Sequence, residues 1–399
     1  MDSSKKIKIL RIIARLNIGG PAIHTVLLTA SLNNSKFDSF LACGSISPGE
    51  GDMSYYAKEK GVSIYSIRSL KRELNFFNDL FAFGQIYSLI AKLKPDIIHT
   101  HTAKAGSLGR MAALVYNLYP WRKKIKIVHT FHGHVLSGYF RRLESFFFIF
   151  IERFLACFTD QIITVSQSVK AELIKLGISS DKNIRVIPLG LELEKFLEIP
   201  PKASVDSYNV GIIGRLVAIK NHRLFLDAAA KICADKNLAV CFQVIGDGED
   251  RVDLENYAGK LGVGKIEFLG WKKDLPSLYS YLDLVVLTSL NEGTPVSLIE
   301  AMAASKAVVS TEVGGVRDLM GNELKLNRCG NSQFKVFERG ILVKSGDSGG
   351  LASAISFILA DKQLRQSMAA SGKEYVRKTF HKDRLVGEIE DLYKDLAVK

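Results

Sequence analysis

Short apolar runs alternate with longer segments of helical period along almost the whole chain. In the first half Ile7–Ala14, Phe40–Cys43, Ser63–Ile67, Ile97–Thr100, Lys126–Thr130, Gln161–Val165 and Arg185–Pro188 read as strands. A second series follows: Tyr208–Ile213, Ala239–Ile245, Ile266–Leu269, Leu284–Leu287, Ala307–Ser310 and Gly340–Val343. Apolar runs of this length, separated by helical stretches, predict βαβ units and parallel sheets. Between the two series stands Ile199-Pro200-Pro201, and paired prolines neither continue a helix nor join a sheet. The expectation is an α/β chain of two doubly wound, Rossmann-like domains, 1–200 and 201–381, with ligand binding in a cleft between them. Residues from Ala352 onward read as helical, and the last segment, 382–399, is amphipathic at Leu385–Leu396 and is expected to pack back on the first domain. Asn322–Glu338 is polar and irregular and reads as a surface insertion with no assigned role.

A length of 399 residues exceeds one ordinary core, which agrees with two domains. Apolar content of 47% and charged content of 24% are those of a soluble globular protein. The net charge of +13 is uneven: residues 1–200 carry +11 and the remainder +2. A basic half suggests an anionic partner, either an anionic membrane surface or a phosphorylated substrate. Nucleic acid is not expected, because the chain has no arginine-rich tail, zinc-finger pattern or RNP-type motif. Five scattered cysteines without a C-x-x-C pair favour reduced thiols in a cytoplasmic protein. Lys5, Lys6, Lys8 and Arg11 interrupt the N-terminal apolar residues, so no secretory signal is read there. No uncharged apolar run reaches the roughly 20 residues of a spanning helix. Phe146–Phe158, interrupted by Glu152 and Arg153, reads as a buried helix. Tyr139-Phe140-Arg141-Arg142 and the amphipathic Lys71–Pro95 stay open between core and membrane contact.

Thr288–Met302 carries the densest chemistry. The strand Leu284–Leu287 leads into a turn, Asn291-Glu292-Gly293, and then Thr294-Pro295, a favourable helix start. Thr294 is expected to cap the first free amides, and Pro295 to occupy a position where a missing N–H costs nothing. The amides of Val296, Ser297 and Leu298 then form an anion site at a helix N-terminus, with Glu292 at its mouth and Glu300 inside the helix. Arg215 and Lys220 lie in the loop after Gly211-Ile-Ile-Gly214, two cations suited to a diphosphate. The bland alternative for each is a solvated loop charge. Gly19 and Gly20, after the first strand, allow a ligand close to the backbone. Neither Gly211/Gly214 nor Gly246/Gly248 completes G-x-G-x-x-G, and no Walker A sequence exists, which argues against dinucleotide and P-loop enzymes.

Five of eight histidines fall in His99-Thr-His101 and His129-Thr-Phe-His132-Gly-His134. No Asp, Glu or Cys completes a zinc set locally, so no metal is expected. His99 and His101 read as acceptor-cleft wall or as satisfied strand-end residues.

Gly214-Arg215 with Lys220, Glu292-Gly293-Thr294-Pro295 through Glu300 (an E-x7-E signature) and Val313-Gly314-Gly315, in this order, resemble the retaining nucleotide-sugar glycosyltransferases of family 4. The resemblance runs over almost the whole chain and implies the two-domain GT-B fold. It implies that Arg215 and Lys220 hold the donor diphosphate together with Gly19, Gly20 and the Thr294–Leu298 turn. It also implies that Glu292 faces the transferred sugar, that Glu300 binds the ribose hydroxyls, and that His132, from a Thr-x-His-Gly stretch, lies beside the donor sugar. Base contacts are expected near Gly270-Trp271. The implied activity is hexosyl or N-acetylhexosaminyl transfer, without cofactor or metal, from a nucleotide-diphosphate sugar, most simply a UDP-sugar. The implied acceptor is a glycan or polyprenyl-diphosphate-linked glycan of capsule, O-antigen or exopolysaccharide assembly, met at the inner face of the membrane. Two rivals share the pocket: an isomerase like UDP-N-acetylglucosamine 2-epimerase, and a non-catalytic nucleotide-sugar-binding protein.

Overall fold

The structure is a computed structural model that describes residues 6–46, 51–71, 73–133, 142–200, 207–235, 238–262, 266–325 and 333–398. The side chains of 142–146 lie outside that description. The chain forms two compact units, Met1–Leu191 with Lys382–Lys399, and Glu192–His381.

The first unit holds a seven-stranded parallel sheet of β1 (Ile7–Ile13), β2 (Phe37–Cys43), β3 (Ile64–Ser66), β4 (Ile97–His101), β5 (Lys126–Phe131), β6 (Gln161–Thr164) and β7 (Ile184–Val186). Their order is β3-β2-β1-β4-β5-β6-β7, so the order reverses between β1 and β4. Such strands are covered on both faces, which is why they read as continuous apolar runs. Polar residues are buried among them, and Arg11 in β1, wholly buried, is the one buried residue with a formal charge among the described strand residues of this sheet. Its guanidinium donates to Ser39 Oγ (3.1 Å) and to the Tyr393 hydroxyl (3.3 Å). Tyr393 belongs to the C-terminal helix Lys382–Val398, whose Leu385, Ile389, Leu392, Tyr393 and Leu396 pack on Ile9, Leu28, Phe37, Ile97 and Val128. Each such side chain contributes roughly 1.5–3 kcal/mol of apolar burial.

The second unit holds β8 (Tyr208–Ile213), β9 (Val240–Ile245), β10 (Ile266–Gly270), β11 (Leu284–Leu287), β12 (Ala307–Thr311), β13 (Phe334–Phe337) and β14 (Gly340–Val343). The order is β10-β9-β8-β11-β12-β14-β13, parallel except for the final β13/β14 pair. Again the order reverses beside the first strand, between β8 and β11.

Three expectations change. The units divide at Leu191/Glu192 and not near Pro200. The short helix Glu194–Leu197 belongs to the second unit, where Phe196 packs edge-on against Tyr279 at 5.5 Å. Residues 334–337, taken as part of an irregular insertion, form the antiparallel edge strand β13 with Val336 and Phe337 buried. The central stretch 326–332 of that insertion lies outside the described residues. The Phe-rich helix Arg142–Ala156 is not wholly core, since Phe147, Phe150 and Phe154, with Phe158 just beyond, are all at least 45% exposed. Their spacing puts them on one face, while Glu152 and Leu155 turn inward. Glu152 is drawn in by Arg110 of the neighbouring helix Ala103–Asn117, 2.6 Å away and equally buried. Phe140 and Arg141 lie outside the described residues.

Candidate functional site

In the second unit the candidate residues gather at the carboxyl ends of β8 and β11, the switch point at which open α/β sheets bind ligands. Gly246 brings the end of β9 so close to β8 that a Cβ there would stand 1.9 Å from the Gly214 carbonyl. A Cβ on Gly214 itself would meet nothing within 4 Å, so Gly214 borders open space. Arg215 follows, half-buried, and its guanidinium has no hydrogen-bond or ion-pair partner among the described residues. A single 3-10 turn, Ala218–Lys220, then carries the chain to Lys220. That turn is pinned to the β11 loop, because Thr288 Oγ1 donates to the Lys220 carbonyl (3.0 Å) and the Leu290 amide to Ile219 (2.9 Å).

The pinning sets the central pair of the site. Lys220 Nζ lies 2.5 Å from Glu292 Oε1, and Ser289 Oγ donates to the same oxygen at 2.6 Å. The Glu292 side chain is only 10% exposed, with its backbone carbonyl taken by the Gly315 amide at 2.9 Å. Ser289 is held in turn by Thr311, whose hydroxyl donates to its carbonyl at 2.7 Å. Thus Glu292 and Lys220, read as facing sugar and diphosphate respectively, are brought into direct contact.

The helix Val296–Ala303 begins one residue later than expected. Pro295 is the N-cap, in an extended conformation, and no side chain caps the turn. A residue before proline is biased away from helical backbone, which puts Thr294 one step too early to reach the free amides. Its Oγ1 is buried without a partner among the described residues. The Leu298 amide already donates to the Pro295 carbonyl at 3.2 Å, so Val296 and Ser297 are the amides facing outward from the first turn. Glu300 lies one turn on. Burial pushes its carboxyl up to about 7, opposed by a hydrogen bond from Tyr279. The Tyr279 hydroxyl faces both Glu300 Oε2 (2.9 Å) and the Ser297 carbonyl (3.0 Å). A protonated Glu300 donates to that hydroxyl and frees its proton for Ser297, whereas an ionised Glu300 takes it. Gly270 ends β10 in a left-handed conformation with its carbonyl accepting from Gly246 (3.0 Å), and Trp271 after it is 45% exposed.

In the first unit Gly19 and Gly20 open the helix Gly20–Ser31. His99 is a satisfied strand-end residue, 2.6 Å from the Tyr393 hydroxyl and 2.7 Å from Thr130 Oγ1. His129 is likewise structural: its Nδ1 lies 2.8 Å from Thr100 Oγ1, and a Cβ on Gly106 would strike its ring. His101 and His132 meet instead, Nδ1 to Nε2 at 2.9 Å. His24 packs against both, a residue the sequence reading missed although it follows Gly19-Gly20 by four positions. Burial holds His24 and His101 well below the usual histidine range and His132 at about 3, so all three are neutral at ordinary pH. His134 lies outside the described residues. Tyr279, Ser289 and Thr311 were also missed, since only the tertiary register brings them to Glu300 and Glu292.

The chain as a whole is similar to known proteins. Residues 18–195 match the family model Glycosyltransferase Family 4, and residues 197–375 match Glycosyl transferases group 1. The chain is 29% identical over 380 residues to the UDP-Gal:alpha-D-GlcNAc-diphosphoundecaprenol alpha-1,3-galactosyltransferase of Escherichia coli, covering 92% of this chain and 91% of that protein. It is 26% identical over 355 residues to the capsular polysaccharide biosynthesis glycosyltransferase CapM of Staphylococcus aureus, with 84% and 86% covered. Among solved structures, HepE of Anabaena in complex with UDP superposes with a TM-score of 0.76 at 19% identity, over 98% of this chain and all of that one. At that identity the likeness concerns the fold, which is GT-B.

Proposed function

The chain belongs to the group 1, family 4 glycosyltransferases, and from that premise we propose that it moves a hexose or N-acetylhexosamine from a UDP-sugar to a lipid-linked glycan with retention. The observation that carries the donor half is the switch-point cluster: Arg215 without a side-chain partner among the described residues, the Lys220–Glu292 pair at 2.5 Å, and two outward amides at Val296 and Ser297. Two cations and a helix N-terminus are suited to a diphosphate. As the anomeric C–O bond breaks, the nucleoside diphosphate leaves with the electron pair, and these groups stabilise its growing charge without a metal. The acceptor hydroxyl attacks on the face the leaving group vacates, and its proton passes to the departing phosphate. Glu292 and His132 position the donor sugar, Glu300 binds the ribose hydroxyls, and Gly270-Trp271 flanks the base.

The acceptor half rests on the Escherichia coli relative, whose name specifies a diphosphoundecaprenol-linked GlcNAc acceptor. Two features of the first unit support a lipid-borne acceptor reached at an anionic membrane surface. One is the +11 charge of residues 1–200. The other is an exposed aromatic face: Phe76, Phe77 and Phe81 on the helix Phe76–Leu93, and Phe147, Phe150 and Phe154 on the helix Arg142–Ala156. Both helices pack against Ala103–Asn117. Among the described residues no helix is long and apolar enough to cross a membrane. Exposed aromatic rows on a unit of net basic charge suit interfacial binding.

The test is a thermal-shift panel of UDP, GDP, ADP and their sugars, followed by turnover on lipid-linked acceptors in anionic vesicles. UDP release that depends on acceptor supports transfer. Release or isomerisation without acceptor, or tight binding without turnover, overturns it.

A further inference from the structure

Three imidazoles of the first unit converge from separate elements: His24 on the helix Gly20–Ser31, His101 at the end of β4 and His132 just after β5. We propose that His24, His101 and His132 form a binding site for one divalent first-row metal ion of the zinc class.

The geometry is close to that of such a site. One ring nitrogen from each residue lies within 4.8 Å of the other two. The ring centroids are 5.5 Å (His24–His101), 4.9 Å (His24–His132) and 5.2 Å (His101–His132) apart. Tetrahedral imidazoles at the usual metal–nitrogen distance of about 2 Å place their ring centroids about 5 Å apart. The ligand capacity is also unspent. Both nitrogens of His24 are buried without a hydrogen-bond partner among the described residues, and the facing nitrogens of His101 and His132 are bonded to each other. Forming the site breaks one hydrogen bond, His101 Nδ1 to His132 Nε2, so that both nitrogens can face the ion. A sugar hydroxyl has one proton to give and leaves most of this capacity unused, whereas a single ion engages all three rings.

Chemistry narrows the ion. Three imidazoles with no carboxylate suit zinc, copper, nickel or cobalt and not magnesium, calcium or manganese. His132 and Gly133 are only half-buried, which gives an entry path and an open fourth position for water. The carboxylate that commonly orients a ligating histidine is not among the partners of these rings in the described residues. Affinity is therefore below that of a dedicated zinc enzyme. A metal here also occupies the His132 nitrogen that the transfer reading gives to the donor sugar, so the ion acts as an inhibitor and not as a cofactor.

The full-length protein, stripped with chelator, is titrated with Co2+ and read by visible absorption, without any donor sugar. The expected result is one Co2+ per chain with the intense d–d bands of four-coordinate cobalt, displaced by Zn2+. His24→Asn and His101→Gln should each weaken binding at least about tenfold and abolish the bands, the usual scale of lost ligand support. His24→Asn is the safer variant, because its ring nitrogens hold no partner among the described residues. His381→Ala, in the second unit, and Cys157→Ser, at an exposed thiol, should leave the titration unchanged. The proposal is overturned by the lack of saturable binding, by the weak spectrum of six-coordinate cobalt, or by one-per-chain binding that survives both histidine variants.

Discussion

Replacing Glu292 by Gln is expected to tighten the binding of free UDP while slowing transfer. Lys220 Nζ lies 2.5 Å from Glu292 Oε1, with side chains 24% and 10% exposed. A diphosphate that recruits Lys220 competes with this carboxylate and is also repelled by it. Two unit charges about 5 Å apart interact by roughly 3 kcal/mol at an effective dielectric near 20. Measured worth of partly solvated pairs is nearer 0.2–1 kcal/mol, so a net gain of about 1 kcal/mol is the reasonable expectation. That is about a fivefold lower Kd for UDP at ~1.4 kcal/mol per decade. Gln keeps an oxygen for Ser289 Oγ, so the loop should hold its shape. The assay is calorimetric titration with UDP at low and high salt, and the gain should shrink as salt screens the charges. Lys220→Met should weaken UDP by about 1.5–3 kcal/mol, the worth of a charged hydrogen bond, and in that background Glu292→Gln should gain less. If Glu292→Gln binds UDP no tighter than the parent, Lys220 does not exchange partners and the ion pair is structural.

Two further outcomes follow from burial. Glu300, pushed up to about 7 from 4.5, favours its protonated form in the folded state. Its contribution to stability is complete below pH 4.5 and is lost as pH rises through about 7, by up to roughly 3 kcal/mol at ~1.4 per unit. Urea midpoints at pH 5 and pH 8 should therefore converge for Glu300→Gln relative to the parent, and a parallel pH dependence in both would mean the carboxyl titrates normally. Arg110 and Glu152, 1% and 6% exposed, form a 2.6 Å pair. Arg110→Met should cost about 3–5 kcal/mol by stranding a buried carboxylate, while Arg110→Met with Glu152→Leu should recover most of it. Equal losses in single and double variants, measured by urea unfolding, would refute that account.

The strands were legible because a parallel sheet covered on both faces demands continuous apolar runs, and β8, β11 and β14 fall where those runs fall. The strand β13 was not legible. Phe334-Lys335-Val336-Phe337 follows a polar stretch, pairs with β14 and otherwise through an isolated bridge between Phe337 and Glu323, and buries half its residues, which is how an edge strand looks in sequence. The boundary at Leu191 escaped for a different reason. Nothing in the composition of Glu192–Leu197 marks it, and its allegiance is decided by Phe196 meeting Tyr279, some eighty positions away. The Phe-rich helix was misread because its apolar count suggests core, whereas the faces decide: Phe147, Phe150 and Phe154 share one, and Glu152 shares the other with Leu155.

The site divides along the same line between local and tertiary information. A strand–loop–helix announces its own anion site, so Lys220, Glu292 and Glu300 were readable as candidates from their places in the chain. Their partners were not, because a contact such as Lys220 with Glu292 depends on two loops meeting at adjacent strand ends. The histidines show the same effect in reverse. Local spacing offered His129, His132 and His134 as a group, yet a strand alternates its side chains, and His129 turns into the core to Thr100. What assembles instead is His132 with His101 from the adjacent β4 and with His24 from the helix that follows β1. Both clusters thus stand where strand order reverses, one built of opposite charges and one of neutral imidazoles. In a doubly wound unit, residues with chemistry are better sought at the carboxyl ends of neighbouring strands than at neighbouring positions in the chain.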